Sequence, residues 1–396
     1  MIEPDKYWIA NGNKIDDISN IHDVITFDWS GNRSDDYIKL SESFYDAAQI
    51  IITEIIENFR DNAKCDQWFF PAFYLYRQAI ELLCKGLLIA VVPKRDITAK
   101  LTIYKHNIID LFREYCNTVP YVPLRSDEIS WINSYLSELE IIDSESNLFR
   151  YPIKDGCLND FKDDFLDIVD MANSIDQCYS IIFKCVEAKH DPLKYSIHLD
   201  MTLKPHVLFF ASHGFGNCML YSSPWDEGYY PHIKGYSDIA FFLLKKLQKS
   251  HWSFLPIAFL IRHAIELALK CMLLSRTETN VDEHTQHCKR RSHVLHKDLW
   301  KSIRNMVEHY ADAMGYDLNL VQLADKYLQE LSALDKNGDK FRYPTNYGLE
   351  YHLQLKRINY YQAVYWLISI FNFVSGCSDM LDVAYEYECD MRAEYL

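Results

Sequence analysis

Pro71-Ala72-Phe73-Tyr74-Leu75-Tyr76-Arg77-Gln78-Ala79-Ile80-Glu81-Leu82-Leu83-Cys84-Lys85 returns later in the chain as Pro256-Ile257-Ala258-Phe259-Leu260-Ile261-Arg262-His263-Ala264-Ile265-Glu266-Leu267-Ala268-Leu269-Lys270. Over the 20 positions from Pro71 and from Pro256, nine are identical. A second block, Tyr135–Pro152, matches Tyr327–Pro344 at nine of 18 positions, and both copies close on Phe-Arg-Tyr-Pro: Phe149–Pro152 and Phe341–Pro344. Self-similarity at a long, nearly constant offset marks repeated structural units. The chain therefore reads as two fused copies of one domain, at 36–190 and 230–396. An N-terminal extension (1–35) and a connector (191–229) lie outside the repeat.

Each copy has the same helical plan. Apolar residues at helical spacing predict a first helix over about Asp46–Asn58, echoed by Asp238–Gln248. A second, strongly apolar helix follows over Phe70–Val91 and Leu255–Leu274. A third begins after His106 and after His293, and a fourth spans Ile129–Ile142 and Leu318–Leu334. A long last helix is expected over Phe161–Val186 and Leu353–Val374, with Pro152 and Pro344 breaking the chain before it. Short β-like runs (Tyr7–Ala10, Val24–Phe27, Tyr195–Leu199, Val207–Phe210, Met219–Tyr221) fall in the extension and connector, with Asn11-Gly12 as a tight turn. The expected fold class is mainly all-α.

Composition bounds the function. The 396 residues are 49% hydrophobic and 24% charged, ample for a core and unlike a disordered chain. A net charge of −15 argues against a broad electrostatic grip on nucleic acid but leaves room for a local basic surface. Eleven cysteines, an odd number without CxxC pairs, fit free thiols in a reducing compartment. The start of the chain lacks the pattern of a signal peptide, and no uninterrupted apolar run reaches about 18 residues. A cytoplasmic protein with no membrane span is expected. No P-loop, nucleophile elbow or zincin signature is present, so no cofactor or metal is implied.

Arg77, Glu81 and Lys85 stand four residues apart on a helix apolar nearly all round, and Arg262, Glu266 and Lys270 repeat them. A helix of that kind is buried, and buried ions must be paired. The trio reads as a charge ladder, with Arg150 and Arg342 as further partners of the glutamates. The competing reading is a polar pocket between helices. Arg150-Tyr151 and Arg342-Tyr343 place a guanidinium at the start of a helix, a combination suited to phosphate, or else serve as a packing staple. His106 and His293 recur in both copies, either for proton transfer or for capping and packing. The segment His284–His296 holds four histidines and a cysteine, without the pair spacing of a zinc site. Within it Lys289, Arg290 and Arg291 form the best basic surface for an RNA backbone.

Taken together, an apolar helix with Ala-Ile-Glu-Leu-x-x-Lys, a helix led by His106-Asn107-Ile108 or His293-Val294-Leu295, and Arg-Tyr-Pro before a last helix resemble the HEPN domain. The resemblance covers both halves, about 36–190 and 230–390. It implies a compact helical bundle of prokaryotic origin, of the kind found in toxin–antitoxin and anti-phage systems. Many such domains cut RNA without a metal; others bind nucleotides or act as inactive partners. They commonly pair across a two-fold axis, so this tandem chain would form an internal pseudo-dimer. Catalytic members carry an Arg followed four to six residues later by a His near the last helix. Here the first His after Arg150 is His190, and after Arg342 it is His352, ten positions on. Two functions stay open: RNA binding or metal-independent cleavage, with Arg150, Arg342, His106 and His293 as catalytic candidates, or a catalytically silent scaffold or regulatory subunit with a partner protein.

Overall fold

A computed structural model of the chain describes residues 7–16, 18, 21–152, 164–187, 200–220, 228–276 and 293–394. The fold is mainly helical. The first half contributes α1 (Arg33–Glu57), α2 (Asn62–Val91), α3 (Lys94–Tyr104), α4 (Ile108–Thr118), α5 (Ser126–Asp143) and α6 (Ile168–Glu187). The second contributes α7 (Tyr229–Lys246), α8 (His251–Arg276), α9 (Lys301–Ala313, entered through a π-helical turn at Leu295–Trp300), α10 (Leu318–Leu334) and α11 (Tyr360–Glu394). Two small antiparallel sheets accompany them. β1 (Val24–Thr26) pairs with β5 (Arg357–Asn359), tying the N-terminal extension to the second half. β2 (Phe165–Asp167) sits between β3 (Phe210–Ala211) and β4 (Asn217–Met219).

Helices α2 and α8 are the centre. Every residue from Trp68 to Leu88 and from Ser253 to Lys270 is buried. One continuous apolar core draws on both halves. Each central helix carries a proline in its interior, Pro71 or Pro256. Proline has no N–H, so the carbonyl four residues earlier loses its helical donor. Those carbonyls belong to Gln67 and Trp252, and the opposite half meets both. Ser43 on α1 donates its hydroxyl to Trp252 O at 2.8 Å. Gly235 on α7, at the matching place, lies so close to Gln67 O that a Cβ would come within 1.9 Å of it.

Several expectations need correction. Tyr7–Ala10 is no strand: its carbonyls take side-chain donors instead, Asn372 Nδ2 on Tyr7 O and Tyr327 Oη on Ala10 O, each at 2.7 Å. Tyr7 itself stacks on Tyr365 of α11. The last helix of the second half starts at Tyr360, not Leu353, because Leu349, Leu353 and Leu355 hold positive φ and Arg357–Asn359 is a strand. In the first half, Phe165–Asp167 is likewise a strand and the helix begins at Ile168. Helix α3 had no counterpart in the sequence reading. Tyr195–Leu199 lies outside the described residues.

Among the described residues, α11 alone has the length and apolar composition of a membrane span, and 56% of its most apolar window is buried against the rest of the fold. The nine described cysteines are free thiols.

Gly235→Ala should overpack the α7–α2 contact and lower stability by about 3 kcal/mol. Ser43→Ala, which only leaves Trp252 O unpaired, should cost about 1–3 kcal/mol. Urea denaturation of both variants checks the order.

Candidate functional site

The midpoint of α2 places Glu81 inside the core, with no exposed surface. Arg77, one turn before it, donates from Nη1 to Glu81 Oε2 at 2.6 Å, and Lys85, one turn after, donates from Nζ to Oε1 at 2.7 Å. The His106 imidazole, from the loop before α4, brings Nδ1 to 3.1 Å of Oε1. The fourth donor comes from the other half of the chain: Tyr343 Oη gives its proton to Glu81 Oε1 at 2.6 Å.

Glu266 on α8 is held in the same way. Arg262 Nη1 and Lys270 Nζ reach it at 2.8 Å each, and His293 Nδ1 at 2.7 Å. Tyr151 Oη of the first half completes the set at 2.7 Å. Each Phe-Arg-Tyr-Pro turn thus crosses to the other copy. The crossing is secured beside it: Gln78 Nε2 donates to Arg342 O at 3.2 Å, and His263 Nε2 meets Arg150 O at 3.0 Å.

Arg77 and Arg262 have a second task. Arg77 Nε pairs with Asp143 Oδ2 at 2.7 Å, and its Nη2 donates to His106 O. Asp143 Oδ1 in turn accepts the Asn147 and Leu148 amides, fixing the loop that leads into Phe149-Arg150-Tyr151. In the second half Arg262 Nε lies 3.2 Å from Asp335 Oδ2, an ion pair without hydrogen-bond alignment, while Asp335 Oδ1 accepts the Lys340 amide. Asp143 and Asp335 escaped the sequence reading, although they are identical positions within the second repeated block.

Arg150 and Arg342 do not reach the glutamates, contrary to expectation. Each folds back on its own turn: Arg150 Nε onto Ser146 O at 2.6 Å and Arg342 Nε onto Gly338 O at 2.7 Å. Their outer nitrogens take Asn147 Oδ1 and Asp339 Oδ1. Both are about 5% exposed, and both converge on Tyr74: Arg150 over its ring, Arg342 near its hydroxyl. Nor does Arg342 stand at a helix start, since α11 begins only at Tyr360. Lys289, Arg290 and Arg291 lie outside the described residues, as does most of the His284–His296 segment. Among the described residues no group of His, Cys, Asp and Glu is arranged to hold a metal ion.

Electrostatics follows from this packing. Burial alone would push the Glu81 and Glu266 carboxyls up. The Lys, His and Arg groups around them win, and hold both well below the usual carboxylate range. Burial draws the Lys85 ammonium down from its ordinary value. It also lifts the Tyr151 phenol to about 12 and the Tyr343 phenol well above its usual value, so both stay hydrogen-bond donors. Burial lowers His106 against the pull of Glu81. For His293 the Glu266 charge pulls upward most strongly, yet burial together with Lys270 and Arg150 leaves it below its ordinary value.

A carboxylate can only accept, so each neutral imidazole carries its proton on Nδ1 and presents a bare Nε2. The two imidazoles keep 23% and 32% of their side-chain surface exposed, and neither Nε2 has a hydrogen-bond partner among the described residues. The result is a pair of Glu–His couples, each inside a buried ion cluster and each open at one nitrogen.

The fold and these two crossed centres define an all-α protein whose halves complete one another. Comparison with family models, curated proteins and solved structures finds no match to this chain.

Tyr343→Phe and Tyr151→Phe should each cost about 1.5–3 kcal/mol, the worth of a hydrogen bond to a charged group. Glu81→Ala, which strips a buried cation pair of its counter-ion, should cost about 3–5 kcal/mol. A double-mutant cycle of Tyr343→Phe with Glu81→Gln should return a coupling above about 0.5 kcal/mol, showing contact across the halves.

Acid should unfold the protein in two stages. The lowered histidines bind protons more weakly folded than unfolded, so the stability they supply at neutral pH is lost as pH falls below about 6.5; the lowered glutamates repeat this below about 4.5. Urea midpoints from pH 8 to pH 3 measure it, and replacing His106 and His293 by Gln should shrink the first stage without abolishing it, because burial lowers His232 and His263 as well.

Proposed function

We propose that this chain is a HEPN-like, RNA-directed protein in which the two halves form an internal pair. Its task would be metal-independent RNA cleavage in prokaryotic defence or stress response. The observation that carries this reading is the Glu-held imidazole in each half: Nδ1 anchored on Glu81 or Glu266, Nε2 bare and partly exposed, and a lowered affinity for protons. Such a nitrogen suits a general base at neutral pH.

In the proposed chemistry, Nε2 of His106 or His293 takes the proton of a ribose 2′-hydroxyl. The 2′-oxygen attacks the adjacent phosphorus, the bond to the 5′-oxygen breaks, and the leaving oxygen receives a proton from a histidine in its charged form or from water. Lys85 or Lys270, bound to the same glutamate, supplies fixed positive charge close to the developing negative charge. Arg150 and Arg342 act as positioning residues that set the turn from which Tyr151 and Tyr343 hold the glutamates.

A second reading, the catalytically silent scaffold, draws support from the enclosed arginines. Both guanidiniums are consumed by their own loops, and the Arg-x4-6-His spacing is missing at the expected place.

The test is labelled total RNA and tRNA incubated with the pure full chain, with and without EDTA, beside His106→Ala/His293→Ala. EDTA-resistant cutting lowered at least about a hundredfold in the double variant is the expected result, the usual worth of a general base. Absence of cutting by the unaltered protein overturns cleavage and leaves the scaffold. Circular dichroism must show the variant folded; Arg150→Ala/Arg342→Ala should instead lose the fold.

A further inference from the structure

Beside the Glu81 centre the surface opens into a cavity of about 180 Å³. Its inner wall is the Lys85 ammonium and the Tyr343 ring. Lys85 is 2% exposed, makes its one hydrogen bond to Glu81, and otherwise turns to the faces of Tyr343 (4.4 Å) and Tyr347 (5.8 Å). The loop from Asp335 to Lys340 forms part of its lining and contributes Lys336 and Lys340. Neither of those two has an ion-pair partner among the described residues. The two acids on this loop are occupied: Asp335 faces Arg262, and Asp339 pairs with Arg342 Nη2 at 2.7 Å. Tyr37, Tyr347 and His352 also line it. Burial lowers the proton affinity of His352, which is therefore neutral at pH 7, while Tyr347, raised to about 12 by burial, keeps its proton.

The repeat supplies an independent argument. Lys336-Asn337-Gly338-Asp339-Lys340 aligns without a gap with Ser144-Glu145-Ser146-Asn147-Leu148 of the first half. Aspartate precedes both runs by one residue and Phe-Arg-Tyr-Pro follows both, so the turn is kept while its charge is not. The first-half run carries one net negative charge and the second-half run one net positive charge. The change falls on residues that line the cavity, and it brings two lysines without ion-pair partners among the described residues to one opening.

We propose that this cavity, where the Asp335–Lys340 loop of the second half meets Lys85 and Tyr37 of the first, is a phosphate-monoester site. It would take the dianionic phosphate of a nucleoside monophosphate or of a phosphorylated RNA end. Three lysines lining one recess match a compact dianion, and the Tyr347 hydroxyl with the neutral His352 imidazole offers further donors. The volume holds roughly six waters, enough for a phosphate and part of its sugar and less than a drug-sized ligand needs. The base then lies outside, along the Tyr347 side. This goes beyond the proposed cleavage; the cavity shares Lys85 with it but does not include His106 or His293, so the two are tested apart.

Isothermal titration of the full chain with inorganic phosphate, adenosine 5′-monophosphate and adenosine tests it. A matched pair of short RNA oligonucleotides, with and without a 5′-phosphate, completes the set. The monophosphate should bind and adenosine should not. Lys336→Gln/Lys340→Gln should weaken the monophosphate at least tenfold with an unchanged circular dichroism spectrum and melting point. A 5′-phosphorylated oligonucleotide binding tighter than the free nucleotide identifies an RNA end as the ligand; the reverse identifies the nucleotide. Both sustain the site. Failure of the unaltered protein to bind phosphate or the monophosphate overturns it, as does undiminished binding by the double variant. His106→Ala/His293→Ala should leave monophosphate binding intact, so loss of cleavage and loss of this site are separate results.

Discussion

A carboxylate buried at the middle of an apolar helix governs this molecule. An ion with no water around it costs several kcal/mol unless it is fully hydrogen-bonded. Glu81 and Glu266 each meet that demand with four donors. Three of the four come from the same half, and the last is a phenol lent by the other. The fold therefore cannot satisfy either anion without bringing both copies together, and the polar centre acts as the lock of an otherwise apolar interface.

The prolines work in the same direction. Pro71 and Pro256 each release a carbonyl from the helical ladder, at Gln67 and Trp252. From the first helix of the opposite copy, a serine hydroxyl donates to the freed Trp252 oxygen, and the bare backbone at Gly235 packs against the freed Gln67 oxygen. The two solutions differ chemically while the place is shared. The same pattern holds deeper in, where Gln78 and His263 both capture the carbonyl of the opposite arginine. The geometry of these contacts is the same in both halves while the residue types differ.

Much of this plan was legible in the residues. Identity between the blocks located both central helices, and the bounds of α10, Leu318–Leu334, follow from apolar spacing alone. The Arg-Glu-Lys stripe announced buried, paired charges. What spacing could not convey is which copy supplies each partner, because the two tyrosines are equivalent in sequence and only packing chooses the crossed arrangement. For that reason the spacing points to Arg150 and Arg342 as partners of the glutamates, while their neighbours Tyr151 and Tyr343 do the binding. Local patterning also failed at 353–359. Leucines suggested helix there, but positive φ at Leu353 and Leu355 and a strand pairing to the distant Val24–Thr26 prevail, a long-range effect invisible to any short window.

The crossed phenols carry an implication for descent. A single-copy ancestor with this helix would have held a buried anion one donor short, and a second molecule was the nearest source of the missing hydroxyl. Joining both halves in one chain makes that donor part of the same molecule, so its supply no longer depends on concentration.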